Sequence, residues 1–193
     1  MQLTSGIWCV DGLRAAHVFL VAVEDGLVVV DAGIRGSAEA VLAEARRAGY
    51  GPQQIRQIVV THAHVDHIGG LPELHKATNA PIAATAGEAA AIEGHAPLPH
   101  PPGLHGLVFR TASLLFRPAP VFVQHRLRSD RAVPGMPGWY ALGTPGHTPD
   151  HISLYHPERA FLIAGDAVAN FGGLQRSPWI VTSQMKLAQA SVA

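Results

Sequence analysis

The strand-like stretch Ile55 to Val60 leads without interruption into Thr61-His62-Ala63-His64-Val65-Asp66-His67. Few structural demands call for that density of metal-binding side chains directly after a buried strand. His62 and His64 alternate, so in extended backbone they point to one side and can converge on one cation. Borderline ions such as zinc suit imidazole nitrogen. Asp66 and His67 are adjacent and must diverge, so they serve a second position close by. Gly69-Gly70 then allows close backbone approach before the next helix.

Far downstream, Thr144-Pro145-Gly146-His147-Thr148-Pro149-Asp150-His151 forms another loop after a strand. His147 is a candidate third imidazole, and three histidines plus water make a hydrolytic centre. His151 opens the next strand and reads as a structural hydrogen-bonding residue. Asp166 ends the apolar run Ala160 to Ala164, where an unpaired carboxylate would be costly; it is a candidate bridge between two cations. Asp31 sits equivalently after Val28-Val29-Val30. Two roles compete for it: orienting the histidine loop, or capping the loop that follows.

The organisation around these motifs alternates strands with helices. Leu3–Val10, His17–Val23 and Leu27–Asp31 have strand character, with a hairpin signal at Asp25-Gly26. Ser37–Ala48 carries a helical apolar period between Ser37 as cap and Gly49 as stop. Ile55–Thr61, Pro81–Thr85, Trp139–Gly143, His151–Tyr155 and Ala160–Ala164 read as strands. Leu71–Ala77, Gly87–Glu93 and the segment from Met185 read as helices. Between about 96 and 137 the pattern fails: 11 of the 42 residues are proline or glycine, mostly near the two ends. This stretch is expected to be an irregular insertion, a lid or pocket wall, in a single domain covering 1–193. Two sheets sandwiched between helices follow.

Composition narrows the function. Lys and Arg (14) balance Asp and Glu (14), so nucleic acid and anionic membranes are not expected partners. A lone Cys9 excludes disulfides and thiolate zinc sites within one chain. Met1–Arg14 shows no secretory signal, and no apolar stretch approaches the roughly 20 residues that span a bilayer. A cytoplasmic protein is the expectation. Twelve histidines are the outlier; His17, His75, His95, His100, His105, His125 and His156 read as scatter over loops.

Taken together, Val30-Asp31-Ala32-Gly33, Thr61–Gly70, Thr144–His151 and Ala164-Gly165-Asp166 resemble the metallo-β-lactamase superfamily over essentially the whole chain. The Thr-Pro-Gly-His-Thr form is similar to the glyoxalase II and lactonase-like branch. The resemblance implies an α/β, four-layer αββα sandwich with metals at one edge. It implies His62, His64 and His147 on the first metal, and Asp66, His67 and bridging Asp166 on the second, with zinc expected and iron or manganese as alternatives. It further implies a metal-bound hydroxide, oriented by Asp66 as the catalytic carboxylate, that attacks a small ester, thioester or lactone.

Two positions depart from the family pattern. Asp150 stands where relatives usually have glycine. The family's last histidine, after a further helix and strand, has no counterpart among the 27 residues that follow Asp166, so the fold is expected to be C-terminally incomplete. Two other functions follow from these features. His62, His147 and Asp166 could form a single-iron site of the kind found in persulfide dioxygenases of this superfamily. A degenerate or truncated metal-binding protein with little activity would expose apolar surface and dimerise.

Overall fold

The computed structural model describes residues 1–13, 15–170 and 172–193, and of residues 105, 112 and 114 the backbone alone. At its centre lies β4 (Gly26–Val30), buried at every residue. Leu27 and Val29 join one apolar cluster, Val28 and Val30 a second. The two-residue repeat of a strand demands this when both faces are covered.

β4 is the middle of a seven-stranded sheet. Its neighbours, in order, are β1 (Gln2–Thr4), β2 (Ile7–Cys9) and β3 (Phe19–Val23) on one side, and β5 (Ile55–Val59), β6 (Ile82–Thr85) and β7 (His125–Leu127) on the other. The first four strands are antiparallel; β4 to β7 pair in parallel. Parallel neighbours need crossovers, and helices supply them. These are α1 (Ala38–Arg47), the short α2 (Val65–Ile68) with α3 (Leu71–Thr78), and α4 (Ala86–Ile92) with α5 (Gly103–Phe116). Val41 of α1, Leu74 of α3 and Ile92 of α4 pack on the Leu27 and Val29 face.

A second sheet covers the opposite face. It is antiparallel, in the order β11 (Phe161–Ile163), β10 (Ile152–His156), β9 (Tyr140–Gly143), β8 (Arg131–Ala132). Ile152, Leu154, Ile163 and Trp139 interleave with Val28, Val30 and Val59; each such side chain removed from water contributes about 1.5–3 kcal/mol. A hairpin of β12 (Val168–Asn170) and β13 (Leu174–Arg176) and the helix α6 (Met185–Ser191) follow. Among the described residues no helix is long and apolar enough to cross a membrane.

Four features differ from the sequence reading. The single strand expected over Leu3–Val10 is two, because Ser5-Gly6 turns the chain with Gly6 at a φ of +72°. The stretch 96–137 is not irregular throughout: it contains the 14-residue α5, then β7 and β8. Its prolines bracket that helix, Pro102 at its start and Pro118 just beyond its end, where proline is tolerated. The histidine loop is helical from Val65 onward. Of the histidines read as scatter over loops, His75 lies in α3, His125 in β7 and His156 in β10. The side chains of His105 and Leu114 lie outside the described residues.

Candidate metal centre

Strand ends deliver the candidate side chains to one edge of the two sheets. Asp31 follows β4, His62 and His64 follow β5, His147 lies between β9 and β10, and Asp166 follows β11. The amide of Ile152 donates to Thr61 O at 3.2 Å and ties the second sheet to the histidine loop. His64 keeps extended backbone before the helical turn begins, so His62 and His64 share a side as their spacing requires.

Hydrogen bonds fix which ring nitrogen faces inward. Asp31 accepts from Thr61 N through Oδ1 and from Thr61 Oγ1 through Oδ2, both at 2.8 Å. Having given its proton to Asp31, Thr61 Oγ1 accepts from His62 Nδ1 at 3.0 Å. His62 Nε2 is therefore left with its lone pair, buried and without a hydrogen-bond partner among the described residues. A polar atom so placed is costly unless something binds it. Asp31 Oδ2 also accepts from His67 Nδ1 at 2.8 Å. Asp31 thus orients the loop, the first of its two expected roles, and it does so from a left-handed φ of +64°, a region that Asp visits more readily than most residues.

A second relay sets His147. Thr182 Oγ1 donates to Pro178 O at 2.7 Å, Ser177 Oγ donates to Thr182 Oγ1 at 2.8 Å, and His147 Nδ1 donates to Ser177 Oγ at 2.7 Å. His147 Nε2 then faces His64 Nδ1 across 2.8 Å. A third relay runs from His151 Nδ1 through Thr144 and Ser153 to Ala164 O, while His151 Nε2 accepts from the amide of Asp166 at 3.1 Å. Both His151 nitrogens are occupied, in keeping with the structural role read from the sequence.

The donors form two sets that share His62. One atom each from His62, His64 and His147 lie within 4.8 Å of one another, and so do atoms of His62, His67 and Asp166. Asp166 Oδ1 is 3.2 Å from His67 Nε2, and its Oδ2 is 3.4 Å from His147 Nε2 and 4.0 Å from His62 Nε2. Asp66 stands further out, its Oδ2 4.0 Å from His67 Nε2. Imidazole nitrogens and a carboxylate at these separations are a donor set suited to zinc or a similar divalent ion.

Burial and the neighbouring imidazoles push His62 well below its ordinary value, and burial is the main cause that lowers His64 to about 4 and His147 to about 2. Neutral imidazoles with free lone pairs are the form that binds a metal. His67 goes the other way. Burial would lower it, but the Asp31 and Asp166 carboxylates hold it well above its usual range. Burial would raise Asp166; hydrogen bonding and charge from His67 hold it well below the usual carboxylate range.

A profile of the metallo-beta-lactamase superfamily matches residues 11–190. The chain belongs to this superfamily. Its members bind divalent metals, and the fold and the clustered histidines agree with that assignment. A probable metallo-hydrolase, YflN, of Bacillus subtilis is 32% identical over 163 residues, 81% of this chain and 62% of that protein. A hydroxyacylglutathione hydrolase of Rhodobacter capsulatus is 30% identical over 77% of this chain and 45% of that protein. The chain thus spans less than two thirds of either relative. Among solved structures, the metallo-beta-lactamase MIM-1 of Novosphingobium pentaromativorans superposes with a TM-score of 0.62 at 32% identity, covering 77% of this chain and 52% of that one. One from Cronobacter sakazakii gives 0.66 at 26% identity over 80% and 57%.

The sequence reading missed Ser177, Thr182 and Glu88, which reach the centre only through tertiary contacts. Asp150, left without a role, now has one: its Oδ2 accepts from Gly87 N at 2.7 Å, and its carbonyl accepts from Thr85 Oγ1 at 2.8 Å. Asp66, His67 and Asp166 open into a cavity of about 570 Å³ walled by Phe19, Leu162, Val168, Leu174, Ile180 and Val181.

Proposed function

We propose that this superfamily member is a metal-dependent hydrolase of a small ester, thioester or lactone. The observation that carries the reading is the pair of donor sets meeting at His62, the second of which, through His67 and Asp166, lines a cavity whose walls are mostly apolar. His62, His64 and His147 would hold the first ion, and His67, Asp166 and the more distant Asp66 the second. Zinc is the expected metal, with iron or manganese as alternatives. A divalent ion held there polarises a carbonyl and brings the pKa of its water from about 15.7 toward about 7.

The chain's own residues do the rest. Asp31 and Ser177 keep three imidazole nitrogens turned inward as acceptors of a cation. Asp66, which lines the cavity with His67, would accept a hydrogen bond from the attacking water and orient it. Phe19, Leu162 and Ile180 receive the apolar part of an acyl group and exclude water from it. Acidic groups line the floor, and among the described lining residues there is no lysine or arginine. That supports a substrate without several carboxylates.

A small-molecule substrate is the only partner this reading requires; nucleic acid and membranes have no part in it, and the cytoplasm is its setting. Leu104, Val108, Leu115 and Phe116 of α5 are exposed, which supports self-association, and light scattering reads that out. The deciding experiment combines metal analysis of the purified chain with turnover of aryl esters, thioesters and lactones before and after chelation. Turnover that stops with chelator and returns with zinc supports the proposal. A metal-free protein, or turnover indifferent to chelator, sinks it.

The nearness of Asp166 Oδ2 to both His62 and His147 also supports a second reading, a single iron held by two histidines and one carboxylate. Oxygen uptake with a persulfide, and iron as the one bound metal, would replace hydrolysis with that chemistry.

A further inference from the structure

We propose that Glu88 is a positioning residue for the metal centre, holding the loop of His62 and His64 in register with the loop of His147. The inference rests on the reading of that centre as a metal site. Glu88 lies in the first turn of α4 and is 1% exposed. Its two carboxylate oxygens are divided between the two loops. Oε2 accepts from the amide of Ala63 at 2.8 Å, the residue between His62 and His64. Oε1 accepts from the hydroxyl of Thr148, the residue after His147. Among the described residues these are the hydrogen bonds by which one side chain reaches both histidine-bearing loops.

The rest of that turn grips the second loop as well. Thr85 Oγ1 donates to Asp150 O and Gly87 N to Asp150 Oδ2. A Cβ at Gly87 would lie 3.0 Å from Asp150 Oδ2, so a side chain there would press on the carboxylate that accepts from Gly87 N. α4 is therefore a bracket between two loops separated by more than 80 residues, and Glu88 is the residue of it that hydrogen-bonds to the first loop.

A carboxylate in this position is expensive. Burial pushes Glu88 up to about 7, against the pull of its two hydrogen bonds and with help from the charge of Asp150. An apolar side chain would fill the same space without that penalty. What it would lose is the fixed separation between Ala63 N and Thr148 Oγ1, and with it the separation between His64 and His147. Residues that orient metal ligands through hydrogen bonds typically change metal affinity by about 10–100-fold when removed.

Zinc affinity, measured by competition with a chromophoric chelator, separates positioning from mere support when paired with urea unfolding of the same proteins. Glu88→Ala and Thr148→Val are expected to bind zinc about 10–100-fold more weakly while folded. Glu88→Gln is expected to stay within about threefold, since its amide can accept from Ala63 and donate to Thr148. Glu93→Ala, which removes the contacts of Glu93 with Val123 N and Arg126 away from the centre, is expected to lose stability with zinc affinity unchanged. Zinc affinity within about threefold of the unmutated chain in both Glu88→Ala and Thr148→Val, alongside lowered stability, overturns the proposal. If Glu88→Ala does not fold, Thr148→Val decides alone. An unmutated chain that binds no zinc, iron or manganese overturns the metal reading, and this inference with it.

Discussion

Asp31 Oδ2 and His67 Nδ1 are joined by a 2.8 Å hydrogen bond, and the same oxygen accepts the hydroxyl of Thr61, which in turn accepts from His62. One carboxylate thus sets the ring orientation of a histidine in each donor set. Asp31→Ala leaves Thr61 N, Thr61 Oγ1 and His67 Nδ1 without their acceptor in a buried place, where each such loss costs about 1–3 kcal/mol. The expected outcome is a protein destabilised by several kcal/mol whose zinc affinity falls about 10–100-fold. Thermal unfolding and chelator competition measure the two effects. Unchanged zinc affinity in folded Asp31→Ala would show that the ring orientation is held by packing instead.

The two donor sets make different demands on stoichiometry. His62 contributes to both, while His67 and Asp166 stand on the second side and His64 and His147 on the first. His67→Ala is expected to retain one bound ion at near-original affinity. His147→Ala is expected to weaken the first ion at least 100-fold, in line with loss of one of three ligands. Metal analysis after dialysis checks both, and equal losses in the two variants would argue for a single shared site.

Because the ligands come together only in the folded chain, metal and stability are linked. Zinc at a hundred times its dissociation constant is expected to raise unfolding free energy by about 2.7 kcal/mol, and EDTA to reverse that. A urea midpoint indifferent to zinc would exclude tight binding to the native state.

Glu88 gives a pH dependence with a definite sign. Its folded value is raised to about 7 from an ordinary 4.5. Between those values the folded protein holds a proton that the unfolded chain has released, so this group's stabilisation is full below about 4.5 and is lost as pH rises through about 7. In metal-free protein the difference in urea midpoint between the unmutated chain and Glu88→Gln should move in favour of Gln from about pH 5 to about pH 8. A constant difference would place the Glu88 carboxyl at its ordinary value.

Leu154 tests the core apart from the site. It is fully buried between the two sheets, and Leu154→Ala is expected to cost about 2–5 kcal/mol. Zinc affinity of the folded variant should stay the same; a large drop would mean that the sheets, and not only the loops, set the centre's geometry.

The six candidate ligands were legible because they lie in two short motifs and a strand end, each with local chemistry strong enough to stand out. Asp31 was legible in place, and its orienting role was one of two the sequence offered; the choice between them waited on partners, Thr61 and His67, that lie about 30 residues away. Glu88, Ser177 and Thr182 had no local signal: a Glu in a short alanine-rich helix and hydroxyls in a loop are ordinary until the fold sets them against Ala63, Thr148 and His147. The helix α5 escaped notice because its residues are apolar on most sides, so no 3.6-residue stripe marks it, and flanking prolines disguised it as loop. The turn at Ser5-Gly6 was missed for the opposite reason, since apolar residues on either side masked it.

Gly146 has no room for a side chain: a Cβ there would lie 2.1 Å from the backbone nitrogen of Ala188 in α6. Ser183 N and Gln184 N also donate to the carbonyls of His147 and Gly146. The third imidazole is thus seated by chain that is synthesised more than a hundred residues after His62 and His64. On the ribosome, where earlier segments organise first, the early histidines are exposed to any soft or borderline cation before their partner is in place. The full set of three imidazoles therefore exists only once α6 packs against the His147 loop, and that contact joins the end of the described chain to the completeness of the candidate centre.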